Sequence, residues 1–232
     1  MVPYPTFRYE RHLIASGSLL IAGVDEAGCG AWAGPVYAAA VILPLNSRLR
    51  LVRDSKTLSP RQRECLTSQI KERATAWAVG MVSHEEVDAL NIRRASALAM
   101  RRSIEALHLI PEHILSDAFP IPGLSIPCTP IIRGDRHVKS IAAASIIAKT
   151  ARDAWMKKLE AEYPGYGFAQ HKGYGTKRHQ EALKRLGPCE IHRMSYRPIK
   201  NLLSSRVEKK NPSTRYLGEG QATTSSVSPS SA

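Results

Sequence analysis

The chain has 232 residues, enough for one sizeable domain with a buried core. Its 33 Lys and Arg residues outnumber its 20 Asp and Glu residues, and a net charge of +13 favours an anionic partner, most often nucleic acid. The four cysteines lie far apart without a Cys-x-x-Cys pair, which argues against zinc ribbons and disulfide frameworks. No apolar run reaches membrane-spanning length, and no targeting segment is recognisable. We therefore expect a cytoplasmic protein that does not bind membranes.

The first 43 residues predict a helix and two strands. Residues 1–18 form an N-terminal segment with a short charged helix on the outside of the domain. Apolar runs at 19–24 and 36–43 predict strands, and Asp25, Glu26, Gly28 and Gly30 lie between them. Carboxylates bind hard divalent cations, and glycines let a ligand approach the backbone. This pattern predicts a metal site that handles a phosphodiester, and the alternative is a solvated glycine-rich turn.

The next elements follow clear start signals. Ser59, Pro60 and Gln62 predict a capped helix, and residues 75–82 predict a strand. Ser83 and Glu86 form a second capping box, which opens one long helix with an apolar stripe as far as residue 107. Short strands are predicted at 113–119 and 129–135, and the strongest helix at 138–162.

The remaining residues predict a loop, a helix and a tail. Residues 163–176 combine four glycines with aromatic side chains beside His171 and Lys172, which suits a loop that holds a nucleic-acid chain. The alternative is an ordinary turn-rich connection. A helix follows from Thr176 to Gly187. Residues 204–232 are rich in Ser, Thr and Pro and predict a disordered tail, so the folded domain is expected at 19–203.

Mixed strands and helices predict a layered α/β domain, in which sites collect at strand ends. Asp25, Asp117 and Asp135 each follow a predicted strand. Glu26 is the difficulty, because neighbours on a regular strand face opposite ways. Asp25 and Glu26 can share a site only if the strand bends or ends there, which the following glycine permits.

Several long motifs, in order, resemble the ribonuclease HII family, the type 2 ribonucleases H. They include AGVDEAGCG at 22–30, ILSD at 114–117, RGD at 133–135, KSIAAASIIAKTARD at 139–153 and YPGYGFAQHKGYGTKRH at 163–179. The resemblance covers about residues 8–200. It implies a ribonuclease H-like fold, with a central mixed β-sheet flanked by helices and a helical C-terminal part. It also implies an endonuclease that hydrolyses the RNA strand of RNA–DNA hybrids and cuts 5′ of single ribonucleotides embedded in duplex DNA, leaving 3′-hydroxyl and 5′-phosphate ends.

The resemblance also implies site residues and cofactors. The family's four catalytic and metal-binding acids fall on Asp25, Glu26, Asp117 and Asp135, which would hold two Mg²⁺ or Mn²⁺ ions. Its glycine-arginine-glycine motif falls on 28–30 and its substrate-reading tyrosine on Tyr174. The expected nucleic-acid contacts are Gly28, Cys29, Gly30, Lys56, Lys172 and Tyr174. Lys139, Arg152 and His171 are further candidates, with helix-surface charge as the alternative for the first two. The family is usually monomeric, so we expect a monomer.

The chain departs from the family pattern at three places. Cys29 replaces the motif's arginine, Ala31-Trp32 replaces Pro-Leu, and Ala118 replaces the glycine after the third acid. A neutral thiol cannot hold a phosphate as a guanidinium does, so we expect weaker substrate binding or a looser junction preference. Two alternatives are a junction resolvase or integrase-type nuclease on the same fold and a hybrid-binding protein without catalysis.

Overall fold

The structure is a computed structural model that describes residues 4–49, 51–52 and 55–210. The helices are α1 (Arg8–Ala15), α2 (Pro60–Arg73), α3 (His84–Leu90), α4 (Ile92–Glu105), α5 (Gly134–His137), α6 (Lys139–Glu162), α7 (Phe168–His171), α8 (Lys177–Leu186) and α9 (Arg197–Lys210). The strands are β1 (Ile21–Ala27), β2 (Val36–Ile42), β3 (Ala76–Val82), β4 (His113–Asp117) and β5 (Cys128–Ile131). Within these ranges every helix falls short of the length and apolar character that crossing a bilayer requires.

The five strands form one mixed sheet in the order β3-β2-β1-β4-β5. β1 pairs antiparallel with β2 and parallel with β4, which in turn pairs parallel with β5. The carboxyl ends of β1 and β4 therefore meet at one edge, where Val24 pairs with Ser116 and Asp25 and Asp117 follow.

Helices cover both faces of the sheet. α6 and α2 pack on one face around Ala39, Val41, Ala143 and Ile147, and α4 packs on the other around Val24, Ala38 and Met100. Gly23 lets α6 lie directly on β1, because a Cβ there would stand 2.2 Å from the Ser140 carbonyl carbon. The predicted mixed sheet flanked by helices is confirmed.

A third core joins the C-terminal half of α6 to α7, α8 and α9. Its buried members are Ala33, Met156, Leu159, Tyr166, Phe168, Ala182, Leu183, Ile191 and Ile199. Ala33 follows the glycine motif, so this core fixes the 163–176 segment beside the end of β1.

Two element predictions were wrong. The long helix expected from Ser83 is two helices, because Asn91 adopts φ +68° and caps α4 through bonds from Arg93 N and Arg94 N to its Oδ1. Asparagine tolerates this left-handed region, so the apolar stripe continues through a sharp turn. The strand expected at 129–135 ends at Ile131, and Asp135 lies in the first turn of α5 after Arg133 at φ +57°.

A helix runs across the predicted C-terminal boundary, and two basic side chains for which a surface position was the alternative are buried. α9 runs to Lys210, past the expected boundary at 203/204, and residues 211–232 of the predicted tail lie outside the described residues. The segment 163–176 contains the short helix α7. Lys139 and Arg152 are not surface charges, because both are buried.

Candidate active site

β1 presents its two acids on opposite faces of the sheet. The strand neither bends nor ends between them, since Asp25 and Glu26 keep their register with Ala39 and Ala38 of β2. β1 ends one residue after Glu26, at Ala27, and Gly28 follows with φ +101°. Asp25 points toward α6, where Ser145 hydrogen-bonds to it, and Glu26 points toward α4.

The other two acids approach from neighbouring segments. Asp117 is the last residue of β4, and its Oδ1 accepts a 2.6 Å hydrogen bond from Gly134 N at the start of α5. Asp135 is the next residue of α5 and is buried, with Oδ2 3.9 Å from Lys56 Nζ. The bond from α5 to Asp117 thus holds the third and fourth acids together.

All four acids interact electrostatically. Burial, and then the charges of Glu26, Asp117 and Asp135, hold the pKa of Asp25 well above its usual range, although the bond from Ser145 opposes this. Burial likewise raises the pKa of Glu26, as does the Asp117 charge, while the thiol of Cys29 lowers it. Asp117 therefore connects the two faces of β1. Neighbouring carboxylates that raise the pKa of Asp25 and of Glu26 form a site suited to a cation.

The donor set fits hard divalent cations, which prefer carboxylate oxygens. Glu26 Oε2 is buried and has no hydrogen-bond partner, so a bound cation would satisfy it. Within residues 4–49, 51–52 and 55–210, no three acidic, His or Cys side chains already stand in a metal-holding arrangement. Glu26 Oε1 instead accepts from Cys29 Sγ at 3.2 Å, and Asp117 accepts from Gly134. Small side-chain rotations would therefore have to accompany metal binding.

The segment 28–30 lies against two buried arginines. Gly28 has φ +101°, and a Cβ there would stand 2.0 Å from Arg152 Nε, so only glycine fits. The Cys29 carbonyl accepts hydrogen bonds from Arg193 Nη1 at 3.1 Å and from the Tyr196 hydroxyl at 2.6 Å. Gly30 is exposed and has open space around its Cα. Arg193 and Tyr196 thus hold the buried side of this turn, while its backbone at Gly30 is exposed to solvent.

Cys29 places its thiol inward. Its Sγ lies 3.2 Å from Glu26 Oε1 and 3.0 Å from Ser96 Oγ of α4. Burial and the nearby Glu26 charge raise the pKa of this thiol, so it is neutral at physiological pH. Cys29 therefore supports Glu26 and offers no charge to a phosphate.

Tyr174 lies on the other side of the glycine turn. Its backbone bridges to Ala31, and its ring has Lys149 Nζ and the Arg152 guanidinium each 5.2 Å from the ring centre. Trp32 N donates to Gly173 O at 2.8 Å, which ties this loop to the glycine motif. The structure thus brings Gly28–Gly30 and Tyr174 together beside the acids.

The predicted lysines lie farther out. Lys56 is exposed for 80% of its side chain and reaches toward Asp135. Lys172 Nζ donates to Ala169 O, and Lys172 lines a groove of about 340 Å³ with Arg63, Lys149, Lys157 and Tyr174. Asp153 of the same groove pairs with Arg63 at 3.2 Å and Lys149 at 2.7 Å. The basic side chains that line this groove thus extend as far as Tyr174, which lines it too.

Sequence reasoning missed four supporting residues: Ser96, Ser145, Arg193 and Tyr196. Ser145 gave a weak signal as a hydroxyl on the alanine-rich face of α6, and Ser96 gave none. Arg193 and Tyr196 lie in the segment IHRMSYRPI at 191–199, which also resembles the family, yet only the structure shows that they hold the Cys29 carbonyl.

The fold is that of the ribonuclease H-like proteins, and acidic side chains gather beside the ends of β1 and β4. The model of the family described as ribonuclease HII matches residues 22–199. The ribonuclease HII of Moorella thermoacetica is 51% identical over 191 residues, covering 82% of this chain and 93% of that protein. The ribonuclease HII of Anaeromyxobacter sp. (strain Fw109-5) is 53% identical over 196 residues, covering 84% of this chain and 62% of that protein.

A solved structure agrees with these sequence matches. The ribonuclease H2 of Pyrococcus horikoshii OT3 superposes with a TM-score of 0.69 at 27% identity, covering 81% of this chain and 98% of that one. The chain belongs to the ribonuclease HII family, a family of ribonuclease H endonucleases.

Proposed function

We propose that the chain is a divalent-metal-dependent endonuclease that hydrolyses the RNA strand of RNA–DNA hybrids. Its substrates include duplex DNA with a single ribonucleotide, which it cuts 5′ of that ribonucleotide to leave 3′-hydroxyl and 5′-phosphate ends. The observation that carries the proposal is the convergence of Asp25, Glu26, Asp117 and Asp135 beside the open turn at Gly28–Gly30.

The four acids would hold two Mg²⁺ or Mn²⁺ ions. Bound divalent cations supply Lewis-acid stabilisation of the phosphate and lower the pKa of a bound water. The protein's own contribution is positional. Gly134 N fixes Asp117, the Glu26 amide donates to Asp25 Oδ1 at 2.7 Å, and the Cys29 thiol donates to Glu26. These bonds keep three carboxylates at the edge of the sheet, where a phosphate can approach.

The glycine turn would detect the ribose. RNA differs from DNA at the 2′-hydroxyl, which both donates and accepts hydrogen bonds. Gly30 leaves its backbone exposed, and the bonds from Arg193 and Tyr196 to the Cys29 carbonyl hold the turn in place. The Tyr174 ring, stacked over Arg152 and near Lys149, would pack on the sugar or base at the junction.

Basic side chains would hold the rest of the strand. Lys56 lies beside the acids, and Lys172 lies in the groove that leads to Tyr174. These contacts involve phosphates and carry no sequence information, so binding should weaken as salt rises.

A protein that only binds hybrids is the main alternative, suggested by the loss of the motif's arginine at Cys29. The retained acids argue against it, because four mutually repelling carboxylates that face a phosphate oppose binding unless cations are present. A junction resolvase would retain the acids but has no use for a turn that recognises a ribose.

A cleavage assay on matched duplexes tests the proposal. The substrate is end-labelled duplex DNA with one ribonucleotide, and the control is the same duplex without it. We expect Mg²⁺- or Mn²⁺-dependent cutting 5′ of the ribonucleotide, no cutting of the control, and loss of activity in EDTA. Binding without cleavage would support the binding protein, and cutting of both duplexes would exclude ribose recognition.

A further inference from the structure

A chain of buried imidazoles lies directly behind Tyr174. His179 Nδ1 lies 3.0 Å from the Tyr174 carbonyl oxygen, and His179 Nε2 lies 3.1 Å from His192 Nε2. His192 Nδ1 lies 3.0 Å from Cys189 N. Both rings are fully buried. The chain therefore connects the 187–192 turn to the backbone of the residue assigned to the junction.

The partners assign one tautomer to each ring. His192 Nδ1 lies 3.0 Å from Cys189 N, which can only donate, and 3.1 Å from both the carbonyl oxygen and the thiol of Cys189. The Cys189 carbonyl already accepts from His192 N at 3.0 Å, so we assign His192 Nδ1 as the acceptor and place the ring proton on Nε2. His192 Nε2 then donates to His179 Nε2, which leaves the proton of His179 on Nδ1. His179 Nδ1 therefore donates to the Tyr174 carbonyl. Each bond depends on the one before it, because two facing Nε2 atoms share only one proton.

A third imidazole holds the neighbouring residue. His171 stacks on His179 with ring centres 4.4 Å apart. His171 Nδ1 accepts from Gly173 N at 3.2 Å, so its Nε2 donates to the Tyr166 carbonyl at 2.8 Å. The imidazoles thus bind the backbone on both sides of the Gly173–Tyr174 peptide.

We propose that His179 and His192 are positioning residues, which set the place of Tyr174 over the scissile junction by holding its carbonyl. This inference rests on the proposed role of Tyr174. The Tyr174 ring faces Lys149 and Arg152, so its backbone hydrogen bonds decide how far the ring reaches. Tyr174 O also accepts from Thr176 N at 2.8 Å, so the turn remains without the imidazoles but is less constrained.

The environment keeps the two rings neutral, as the chain requires. Burial lowers the pKa of both His179 and His192 to about 4. A protonated His179 would place its Nε2–H against the Nε2–H of His192, and a protonated His192 would place its Nδ1–H against the Cys189 N–H. The Phe168 ring packs on both imidazoles, with its centre 5.7 Å from the centre of His179 and 5.8 Å from that of His192. This contact fixes the planes of the two imidazoles.

The test uses the full-length protein and two variants of His192. His192→Ala removes the side chain that holds His179 Nε2 and leaves space beside it, so the His179 ring can turn and its bond to the Tyr174 carbonyl weakens. His192→Gln is the conservative variant, because its carboxamide can still donate toward His179. The readouts are kcat and KM on a duplex with one ribonucleotide and on a long RNA–DNA hybrid. Hydrogen exchange of the Thr176 amide reports directly on the turn.

We expect His192→Ala to lower kcat/KM at the single ribonucleotide about five- to tenfold more than on the long hybrid, the effect of one hydrogen bond. Thr176 exchange should accelerate, and His192→Gln should restore most of both values. In a Tyr174→Ala background, His192→Ala should no longer alter the substrate ratio. Ile199→Ala is the matched control, since it shortens a buried aliphatic side chain of the same core. It should reduce stability and leave the ratio unchanged.

Other outcomes separate the two proposals. If Tyr174→Ala changes the ratio and His192→Ala does not, the junction role stands and the positioning role is wrong. Unchanged Thr176 exchange in His192→Ala overturns the positioning role on any substrate. An equal change of ratio in Ile199→Ala reduces the effect to general destabilisation. If Tyr174→Ala itself leaves the ratio unchanged, the junction role fails and the inference fails with it.

Discussion

Asp25 shows how a single residue can oppose stability. It is buried, and the charges of three other acids surround it. An ionised carboxylate in this position costs free energy in the absence of metal, since like charges and burial both disfavour it. Residues of this kind are retained for function, and removing their charge commonly stabilises a protein.

We therefore expect Asp25→Asn to abolish cleavage and stabilise the metal-free protein by about 1–2 kcal/mol, a rise in Tm of about 2–8 °C. The asparagine Oδ1 can still accept from Glu26 N, and hybrid binding should persist. Thermal unfolding in EDTA measures the shift. Mg²⁺ should raise the Tm of the wild-type protein more than that of the variant.

Glu72→Gln is the control for Asp25→Asn, because it removes one exposed carboxylate from α2. It should change neither cleavage nor Tm noticeably. Substantial turnover by Asp25→Asn would remove Asp25 from the metal site, and a lower Tm in EDTA would show that its charge is compensated.

Cys29 is the residue at which this chain departs most from its family pattern, and its thiol points to Glu26 and Ser96. We expect Cys29→Arg to direct a guanidinium outward and bind one more phosphate. Hybrid affinity should rise about five- to tenfold, and the salt dependence should steepen by about one phosphate contact. Binding is measured at several salt concentrations in the inactive Asp25→Asn background, so that no substrate is cut.

Cys29→Ser is the matched variant, since a hydroxyl can retain the bonds to Glu26 and Ser96 without adding charge. It should bind with the affinity of the parent protein. An unchanged affinity for Cys29→Arg would show that another basic side chain already makes the missing contact.

At the scale of elements, capping residues in the sequence correctly predicted helix starts, which local hydrogen bonds determine. The capping boxes at Ser59 and Ser83 begin α2 and α3 as expected, with both reciprocal bonds formed. Asp135 was misplaced because a left-handed residue, Arg133, ends the extended segment early, and arginine gives no signal for that conformation. The sequence did not reveal the break between α3 and α4 at Asn91, because apolar residues keep their helical spacing across it.

The turn after β4 carries backbone strain beside a catalytic candidate. Ala118 adopts φ +64°, a region that disfavours residues with a Cβ, directly after Asp117. The family pattern has glycine here. We expect Ala118→Gly to stabilise the protein by about 0.5–1 kcal/mol, because relief of the left-handed strain exceeds the added entropy of the unfolded chain. Urea unfolding measures the difference.

Ala154→Gly provides a control of opposite sign. Ala154 is exposed within the regular helix α6, so glycine there should destabilise by about 1 kcal/mol. If Ala118→Gly destabilises by a similar amount, the turn after Asp117 is not strained by its side chain.

At the scale of the whole molecule, the sheet and its layers followed from alternating strands and helices, and the four acids followed from a motif resemblance. The supports of the site did not, because most of them join segments more than a hundred residues apart. Arg152 reaches the carbonyls of Pro35 and Ala33, and Arg193 reaches those of Gly34 and Cys29. From the sequence alone, a basic residue is expected at the surface until its buried partners are known.

The two buried imidazoles and the buried Asp25 carboxyl give the stability of the protein opposite dependences on pH. His179 and His192 have pKa values lowered from 6.5 to about 4, so the stability that they contribute is present above about pH 6.5 and lost as pH falls toward 4. Asp25 has a raised pKa, so its contribution is present below 3.8 and lost as pH rises through the raised pKa. Acidification therefore lowers the stability contributed by the two imidazoles and reduces the repulsion among the four acids.

We expect the metal-free wild-type protein to lose little stability between pH 7 and pH 5, because the two contributions partly cancel. Asp25→Asn removes much of the acid contribution, so its free energy of unfolding should fall more steeply than that of the wild-type protein as pH decreases over the same range. Urea unfolding at half-unit pH steps in EDTA measures both slopes. Adding His192→Gln to Asp25→Asn should flatten the slope again, since one of the two titrating rings is gone. Parallel slopes in the wild-type protein and Asp25→Asn would mean that the acid cluster does not titrate in this range. An unchanged slope after His192→Gln would mean that groups other than the two imidazoles make stability fall at low pH.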